Sequence, residues 1–205
     1  MTCTIAICGT SGSGKTSLAR AVADLLGDAA VLHFDDYEYP DPSTVSRDVE
    51  GWIAMGLPVA PHRGVTLAGE VAKLCAGESI QPPKGEGIIS PTRFLVIEEP
   101  FGRARPAIAP LIDLVVFIAT PADLALARRL RRDGTLHLGD RTSEEVLARL
   151  QSYLEWYLGA GHAFYERIAD LAKLKADLIV DGRLPLGEIA RSVADFANSA
   201  VKASA

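Results

Sequence analysis

The residues with the clearest chemistry form a glycine-rich loop near the start of the chain. Glycines allow backbone angles that turn successive N–H groups toward phosphate oxygens, and a helix that begins at the loop adds the partial positive charge of its N-terminus. In this pattern the lysine bridges the β- and γ-phosphates of ATP, and the following hydroxyl holds Mg²⁺. The loop comprises Gly9, Thr10, Ser11, Gly12, Ser13, Gly14, Lys15 and Thr16.

Acidic residues stand at the ends of two predicted apolar strands. Asp35 follows the strand predicted over residues 30–34, and Glu98 and Glu99 close the one predicted over 94–98. Ligands of parallel α/β sheets bind beyond the carboxyl ends of the strands. Phosphoryl transfer to a hydroxyl needs a carboxylate that orients the nucleophile and takes its proton, so we assign that role to Asp35. We expect one of Glu98 and Glu99 to hold Mg²⁺, because buried strands rarely end in a carboxylate without a reason.

The elements that must position these residues alternate between strand and helix. This alternation predicts a three-layer α/β fold with a mainly parallel five-stranded sheet, as one domain over residues 1–205, with a lid near residues 128–141. The Pro- and Gly-containing stretches 40–64 and 81–91 are predicted to leave the sheet. Strands are predicted over 2–8, 30–34, 94–98, 114–119 and 177–180, and helices over 15–26, from Thr120 to Gly134, from Thr142 into the 150s, and over 162–175.

The bulk composition excludes several classes of protein. A net charge of −5 argues against a nucleic-acid binder, because affinity for the phosphate backbone depends on clustered Lys and Arg. Three cysteines without a CxxC spacing give no metal or redox motif. No stretch approaches the roughly 18 apolar residues of a membrane span, so we expect a cytoplasmic protein without a membrane partner.

A P-loop alone indicates a nucleotide and leaves several classes open. The chain has no NKxD segment to read guanine, and residues 48–51, which match the DxxG element of GTPases, follow no apolar strand. Glu98 and Glu99 imitate the acidic pair that ends a strand in motor and transport ATPases. A regulatory ATPase that acts with a partner protein, and a binding module that holds ATP without turnover, therefore remain as alternatives to a kinase.

Several segments together are similar to the uridine kinase and nicotinamide riboside kinase family. The resemblance implies that Asp35 is the base, that Lys15, Thr16 and Glu98 serve ATP and Mg²⁺, and that the arginine-rich segment closes as a lid. By the lid spacing of that family, the arginines expected at the phosphates or adenine of ATP are Arg129, Arg132 and Arg141. The segments that carry the resemblance are the P-loop and residues 34–37, 96–98, 116–121, 128–133 and 176–180.

The acceptor side departs from that family. Residues 80–93 lack the Tyr-Asp pair and the His with which uridine kinases read the nucleoside, and Glu99 replaces a glycine. We expect a hydroxyl of a small metabolite as acceptor. Tyr37 and Trp52 either stack on its ring or pack in the core, and His62 and Arg63 either bind an anionic group or form a surface loop. The candidate acceptor residues are Asp36, Tyr37, Trp52, His62, Arg63, Arg103 and Arg105.

Overall fold

The computed structural model describes residues 2–39, 48–84, 87–136 and 142–203. The predicted lid contact Arg141 lies outside these residues. Within them no helix is long and apolar enough to cross a membrane. The strands are β1 (Cys3–Cys8), β2 (Ala29–His33), β3 (Glu38–Tyr39), β4 (Ala60–Pro61), β5 (Phe94–Glu98), β6 (Leu114–Ala119) and β7 (Leu178–Asp181).

The helices alternate with the strands, as the sequence predicts. They are α1 (Lys15–Leu26), α2 (Phe34–Tyr37), α3 (Val49–Ala54), α4 (Leu67–Cys75), α5 (Ala122–Leu136), α6 (Ser143–Trp156), α7 (His162–Leu174) and α8 (Leu186–Ala203). A π-helical turn, Tyr157–Gly161, joins α6 to α7, and two 3₁₀ turns, Gly102–Ala104 and Ala109–Leu111, lie between β5 and β6.

Five strands form one parallel sheet in the order β2-β5-β1-β6-β7, so the predicted fold class is confirmed. β1 lies at the centre because its residues are apolar on both faces and almost wholly buried. β2 and β5 flank it on one side, with His33 opposite Glu98 in the register. The carboxyl ends of β1, β2 and β5 therefore meet at one edge of the sheet.

Two apolar layers cover the sheet. Successive residues of a strand face opposite sides, so Ile5 and Ile7 of β1 pack on one face, and Ala6 and Cys8 pack on the other. α1 and α8 cover the first face, and α3, α4 and α7 cover the second. Their buried contributions to the two layers are Leu18, Val22, Ile189 and Val193 on the first face, and Trp52, Leu67, Val71, Leu74, Ile168 and Ala172 on the second.

Several predicted boundaries differ from the structure by one or two residues, and two of these differences have a clear physical reason. α5 was expected to end at Gly134 but continues to Leu136, because one interior glycine costs a helix only about 1 kcal/mol. The second strand ends at His33, and Phe34 begins the helical turn α2 instead of extending the strand. The sequence also did not predict the short antiparallel pair β3–β4, which folds the chain after α2 back toward His62.

Trp52 is a core residue. It is 1% exposed, its ring lies 5.5 Å from that of Phe101 and 5.9 Å from that of Phe164, and its Nε1 donates a hydrogen bond to the Pro58 carbonyl at 2.8 Å. The segment between β2 and β5 therefore anchors on the sheet through this side chain. Of the two roles that the sequence left open for Trp52, the structure supports packing.

We predict that Trp52→Ala lowers the free energy of unfolding by about 3–5 kcal/mol, because it removes a buried aromatic side chain and leaves a cavity. Leu158→Ala is the matched control, since Leu158 is 83% exposed, and it should change stability by no more than about 0.5 kcal/mol. Urea unfolding curves measure both. Equal, small effects of the two substitutions would contradict the assignment of Trp52 to the core.

Candidate functional site

The glycine-rich loop joins β1 to α1 with the geometry that anion binding requires. Gly14 caps α1 in the left-handed conformation, and the helix begins at Lys15. The first N–H groups of a helix have no partner within it and are available to an anion. Gly12 has φ +87°, and a Cβ there would lie 2.1 Å from the Ala125 carbonyl oxygen of α5. A glycine is therefore required at position 12 for α5 to pack against the loop.

Lys15 is held within this loop. Its side chain is almost fully buried, and Nζ donates a hydrogen bond to the Thr10 carbonyl at 3.1 Å and lies 3.9 Å from Glu98 Oε1. Burial lowers the pKa of Lys15, and the carboxylates of Glu98 and Asp35 oppose that shift. The ammonium group thus depends on nearby negative charge, which the phosphates of a nucleotide would also supply.

Glu98, the last residue of β5, accepts hydrogen bonds from two side chains. Its Oε2 accepts hydrogen bonds from the Thr16 hydroxyl at 2.9 Å and from His33 Nδ1 at 3.1 Å. Burial, the largest single influence, opposes ionisation of Glu98, but His33, Lys15 and Thr16 together outweigh it and lower its pKa. The carboxylate therefore stays ionised at neutral pH.

The oxygens of Thr16 and Glu98 fit a magnesium site. Mg²⁺ prefers hard oxygen ligands, and in nucleotide sites the protein supplies only one or two of them while the phosphates and water supply the rest. The described residues contain no group of three or more His, Cys, Asp or Glu side chains that could hold a metal ion unaided. A hydroxyl and an ionised carboxylate 2.9 Å apart at the phosphate loop match this requirement.

Glu99 does not share the environment of Glu98. It is fully buried, and its Oε2 forms an ion pair with Arg105 Nη2 at 2.6 Å. Glu99 is the first residue after β5, and its side chain turns away from that of Glu98, as the alternation of an extended chain favours. Glu98 is therefore the metal-binding candidate of the two.

Asp35 lies on the turn α2, directly after β2, and solvent reaches its side chain. The surrounding protein still removes part of its hydration, and this desolvation, with the charge of Glu98, raises the pKa of the carboxyl above its ordinary 3.8. The cations Lys15, Lys84 and Arg132 oppose the shift. A carboxylate with a raised pKa is a better proton acceptor than an ordinary aspartate.

These groups line one polar cleft of about 600 Å³. The loop lines the cleft together with Asp35 and Glu98. Apolar residues at the start of α8 and in the segment before it line it as well, and we call them its apolar end. Three arginines of α5 overhang the cleft, and Arg128 also donates a hydrogen bond to the Gly182 carbonyl at 3.1 Å. The lining residues away from the loop are Ile118, Arg128, Arg131, Arg132, Gly182, Leu184, Leu186 and Ile189.

Arg129 faces a different cavity. Its guanidinium lies 4.6 Å from the ring centre of Tyr153 and 5.6 Å from that of Tyr165, and it donates a hydrogen bond to the Tyr165 hydroxyl. This aromatic cavity, of about 310 Å³, lies on the opposite side of α5 and reaches the loop at Thr10 and Ser11. Of the arginines expected at ATP, Arg132 lines the cleft, whereas Arg129 is held by tyrosines outside it.

Neither of the candidate acceptor residues Arg103 and Arg105 lines the cleft. Arg105 is 2% exposed and paired with carboxylates. Arg103 pairs with Asp177 at 2.8 Å and donates a hydrogen bond to the Asp113 carbonyl at 2.5 Å, both at the amino ends of strands. The sequence could not show this, because an arginine after a strand looks the same whether it faces a ligand or is held by carboxylates of the protein.

The other candidate acceptor residues divide between core and surface. Tyr37 is 1% exposed, which raises the pKa of its hydroxyl, and it packs in the core with Trp52. Asp36 is half-buried, and Arg63 is exposed on a tight turn with φ +53°. His62 is linked to Asp35 through Lys84. Its Nε2 lies 3.4 Å from the Nζ of Lys84, which donates a hydrogen bond to the Asp35 carbonyl.

Three residues of the site were not found by sequence reasoning. His33 orients Glu98, and Lys84 donates a hydrogen bond to the Asp35 backbone carbonyl. Tyr39 is half exposed, with its ring 5.0 Å from that of His62. The position of His33 at the last residue of β2 was a usable signal, since strand ends form the site. Lys84 gave none, because it arrives from a distant loop.

The chain is similar in sequence to curated kinases. The chain is 26% identical over 186 residues to a uridine kinase of Halobacterium salinarum, covering 86% of this chain and 78% of that protein. It is 27% identical over 187 residues to a uridine kinase of Bacillus mycoides, covering 86% and 84%. A shikimate kinase of Aquifex aeolicus is similar in structure, with a TM-score of 0.48 and 13% identity over 96% of each chain. No family model matches the chain.

The resemblance to uridine kinases that the sequence predicts is therefore confirmed, over most of the chain. These relatives agree with the predicted enzyme class, an ATP-dependent small-molecule kinase. At 26% and 27% identity they leave the acceptor to be argued from the residues of this chain.

The two cleft carboxylates should affect stability with opposite sign. The folded-state pKa of Glu98 is lowered from 4.5, so its charge stabilises the fold above that pH, and this contribution is lost as the pH falls through the lowered value. The folded-state pKa of Asp35 is raised from 3.8, so its charge destabilises the fold at neutral pH, and this penalty disappears below 3.8.

We therefore predict that at pH 7, without nucleotide, Glu98→Gln has a lower Tm than the wild type and Asp35→Asn has a higher one. Both differences should shrink as the pH is lowered toward 3.5. A change of about 1 kcal/mol moves the Tm of a chain of this size by roughly 2–4 °C, so thermal unfolding detects them. Differences of the same sign would contradict the electrostatic description of the cleft.

Proposed function

We propose that this chain transfers the γ-phosphoryl group of ATP to a hydroxyl group of a small polar metabolite. The observation that carries the proposal is that Asp35 shares one cleft with Lys15, Thr16 and Glu98. A nucleotide-binding module or an ATPase switch needs the last three residues. A solvent-reachable carboxylate with a raised pKa beside them is what a hydroxyl acceptor needs.

ATP fits the cleft in one direction. Its phosphates would meet the loop and the N-terminus of α1, with Lys15 against the β- and γ-phosphates. Its adenine would then lie over the apolar end, near Leu184, Leu186 and Ile189. Two arginines of α5 reach these ends. Arg128 donates a hydrogen bond to the Gly182 carbonyl at the apolar end, and Arg132 lies near Lys15 at the phosphate end. Closure of this one helix would therefore act on both ends of the nucleotide.

Thr16 and Glu98 would hold Mg²⁺ together with the phosphates. His33 would fix the orientation of the Glu98 carboxylate through its hydrogen bond. The ion neutralises charge on the phosphate oxygens when bound. Lys15 adds a second positive charge on the same group, and the surrounding protein strengthens both interactions by excluding water.

Asp35 would orient the acceptor hydroxyl and take its proton as the new bond to phosphorus forms. The turn that carries it is short and held by Lys84, which donates to the Asp35 carbonyl from a separate loop. The carboxyl therefore has a fixed place while its oxygens remain open to the acceptor.

For the acceptor, we propose a nucleoside-like or sugar-like compound recognised mainly by polar groups. The named relatives phosphorylate uridine, which supports a ribose-like hydroxyl. In this chain Tyr37 and Trp52 are buried, so neither offers a ring face to a base. Among the described residues, Lys84 contacts the Asp35 carbonyl and is followed outward by His62 and Tyr39, which offer accessible polar groups to an acceptor.

The ATPase alternative depended on a paired acidic motif at the end of β5. Only Glu98 faces the loop, whereas Glu99 is bound by Arg105 on the other side of the sheet. The second carboxylate of the pair is thus not available to activate a water molecule at the phosphates, and the kinase is favoured.

We predict that Asp35→Asn retains MgATP affinity and loses about 10²–10⁴-fold in kcat, because the amide keeps the shape but cannot take the proton. The measurement is a MgATP-consumption screen against nucleosides, sugars and vitamin precursors, followed by kinetics with the accepted compound. Asp24→Asn is the control, since Asp24 is an exposed aspartate of α1. Full activity of Asp35→Asn would remove this residue from its role, and hydrolysis that no compound stimulates would favour the ATPase.

A further inference from the structure

A buried cluster of three charged side chains lies beneath the cleft, and the proposed chemistry does not use it directly. Arg105 Nη1 lies 2.6 Å from Glu38 Oε2, and Arg105 Nη2 lies 2.6 Å from Glu99 Oε2. The three residues are between 0% and 2% exposed. The guanidinium also lies over the ring of Phe34 at 5.6 Å. We call Glu38, Arg105 and Glu99 the buried triad.

The two carboxylates of the triad come from the two segments that carry the reactive groups. Glu38 directly follows the turn α2, which bears Asp35. Glu99 directly follows Glu98 at the end of β5. One guanidinium therefore ties the segment of the base to the segment of the metal-binding carboxylate, at the edge of the sheet where β2 and β5 end side by side.

Stability alone does not account for this arrangement. Burying three charges is costly, and apolar side chains of similar volume often fill such a site with equal or greater stability. Two close ion pairs from one rigid, planar guanidinium, one of them a hydrogen bond to Glu99, do fix geometry in a way that apolar packing does not.

We infer that Arg105 is a positioning residue for phosphoryl transfer, which sets the position of Asp35 relative to Glu98 by holding Glu38 and Glu99. Arg105 is too deeply buried to touch a substrate, so it acts through the two carboxylates alone. This inference rests on the proposed kinase function. Its signature is a loss of turnover without a loss of nucleotide binding, because the phosphate loop lies outside the triad.

The first test compares Arg105→Met with Arg167→Met. Arg167 forms an exposed pair with Glu50 at 2.7 Å, so its substitution also removes a guanidinium from a carboxylate. With the acceptor found in the screen, we expect Arg105→Met to lower kcat about 10–100-fold, as small misplacements of catalytic groups do, with little change in MgATP affinity. Arg167→Met should leave both quantities unchanged. Equal kcat in the two variants would overturn the inference.

Arg105→Met leaves two buried carboxylates without their cation and so also destabilises the fold. A second variant separates the effect on positioning from the effect on folding. In Glu38→Met/Glu99→Leu/Arg105→Met the charges are replaced together by apolar side chains of similar size. We expect this triple variant to match or exceed the wild-type Tm while kcat stays low. Wild-type turnover in a stable triple variant would show that the triad only fills space, and would overturn the inference.

Hydrogen exchange provides a readout that needs no acceptor. Backbone amides of residues 34–39 should exchange faster in the stable triple variant than in Arg167→Met, because the tie to β5 is gone. Equal exchange would also overturn the inference. A wild-type protein that phosphorylates no compound would count against the proposed function instead, and the exchange experiment would still decide whether the triad fixes the turn that bears Asp35.

Discussion

A buried ammonium group beside a phosphate-binding loop is the constraint on which this structure depends. Lys15 is almost wholly enclosed, and the Thr10 carbonyl and the carboxylates of Glu98 and Asp35 compensate in part for its lost hydration. Such a cation is costly to bury unless negative charge lies near it. The ionised Glu98, fixed by His33 and Thr16, meets part of that need, and a bound triphosphate would meet the rest.

The parallel sheet brings the groups around Lys15 together. Because β2, β5 and β1 are adjacent and parallel, their carboxyl ends bring Asp35, Glu98 and the loop to one edge. The helix α5 crosses the loop at Gly12, where the Ala125 carbonyl leaves no room for a side chain. The arginines of α5 lie on two faces of the helix. Arg132 lines the polar cleft, and Arg129 lines the aromatic cavity. One helix thus borders both the proposed nucleotide cleft and a second cavity of different chemistry.

Local features could be predicted from the sequence, whereas features that depend on long-range packing could not. The loop, the central strands and α1 follow from patterns within a few residues. The choice between Glu98 and Glu99 depended on Arg105, whose side chain folds back onto Glu99. The burial of Trp52 and the side of α5 on which Arg129 lies depended on the packing of distant elements, α7 among them. Sequence spacing carries no information about such contacts.

The most direct test of the central claim is the dissociation constant of MgATP for the wild-type chain and for Lys15→Ala, measured by titration calorimetry. One hydrogen bond from a charged group is worth about 1.5–3 kcal/mol. We therefore predict that the wild type binds MgATP and that the variant loses about 10–100-fold in affinity. Equal affinity of the two proteins, or no binding by the wild type, would contradict it.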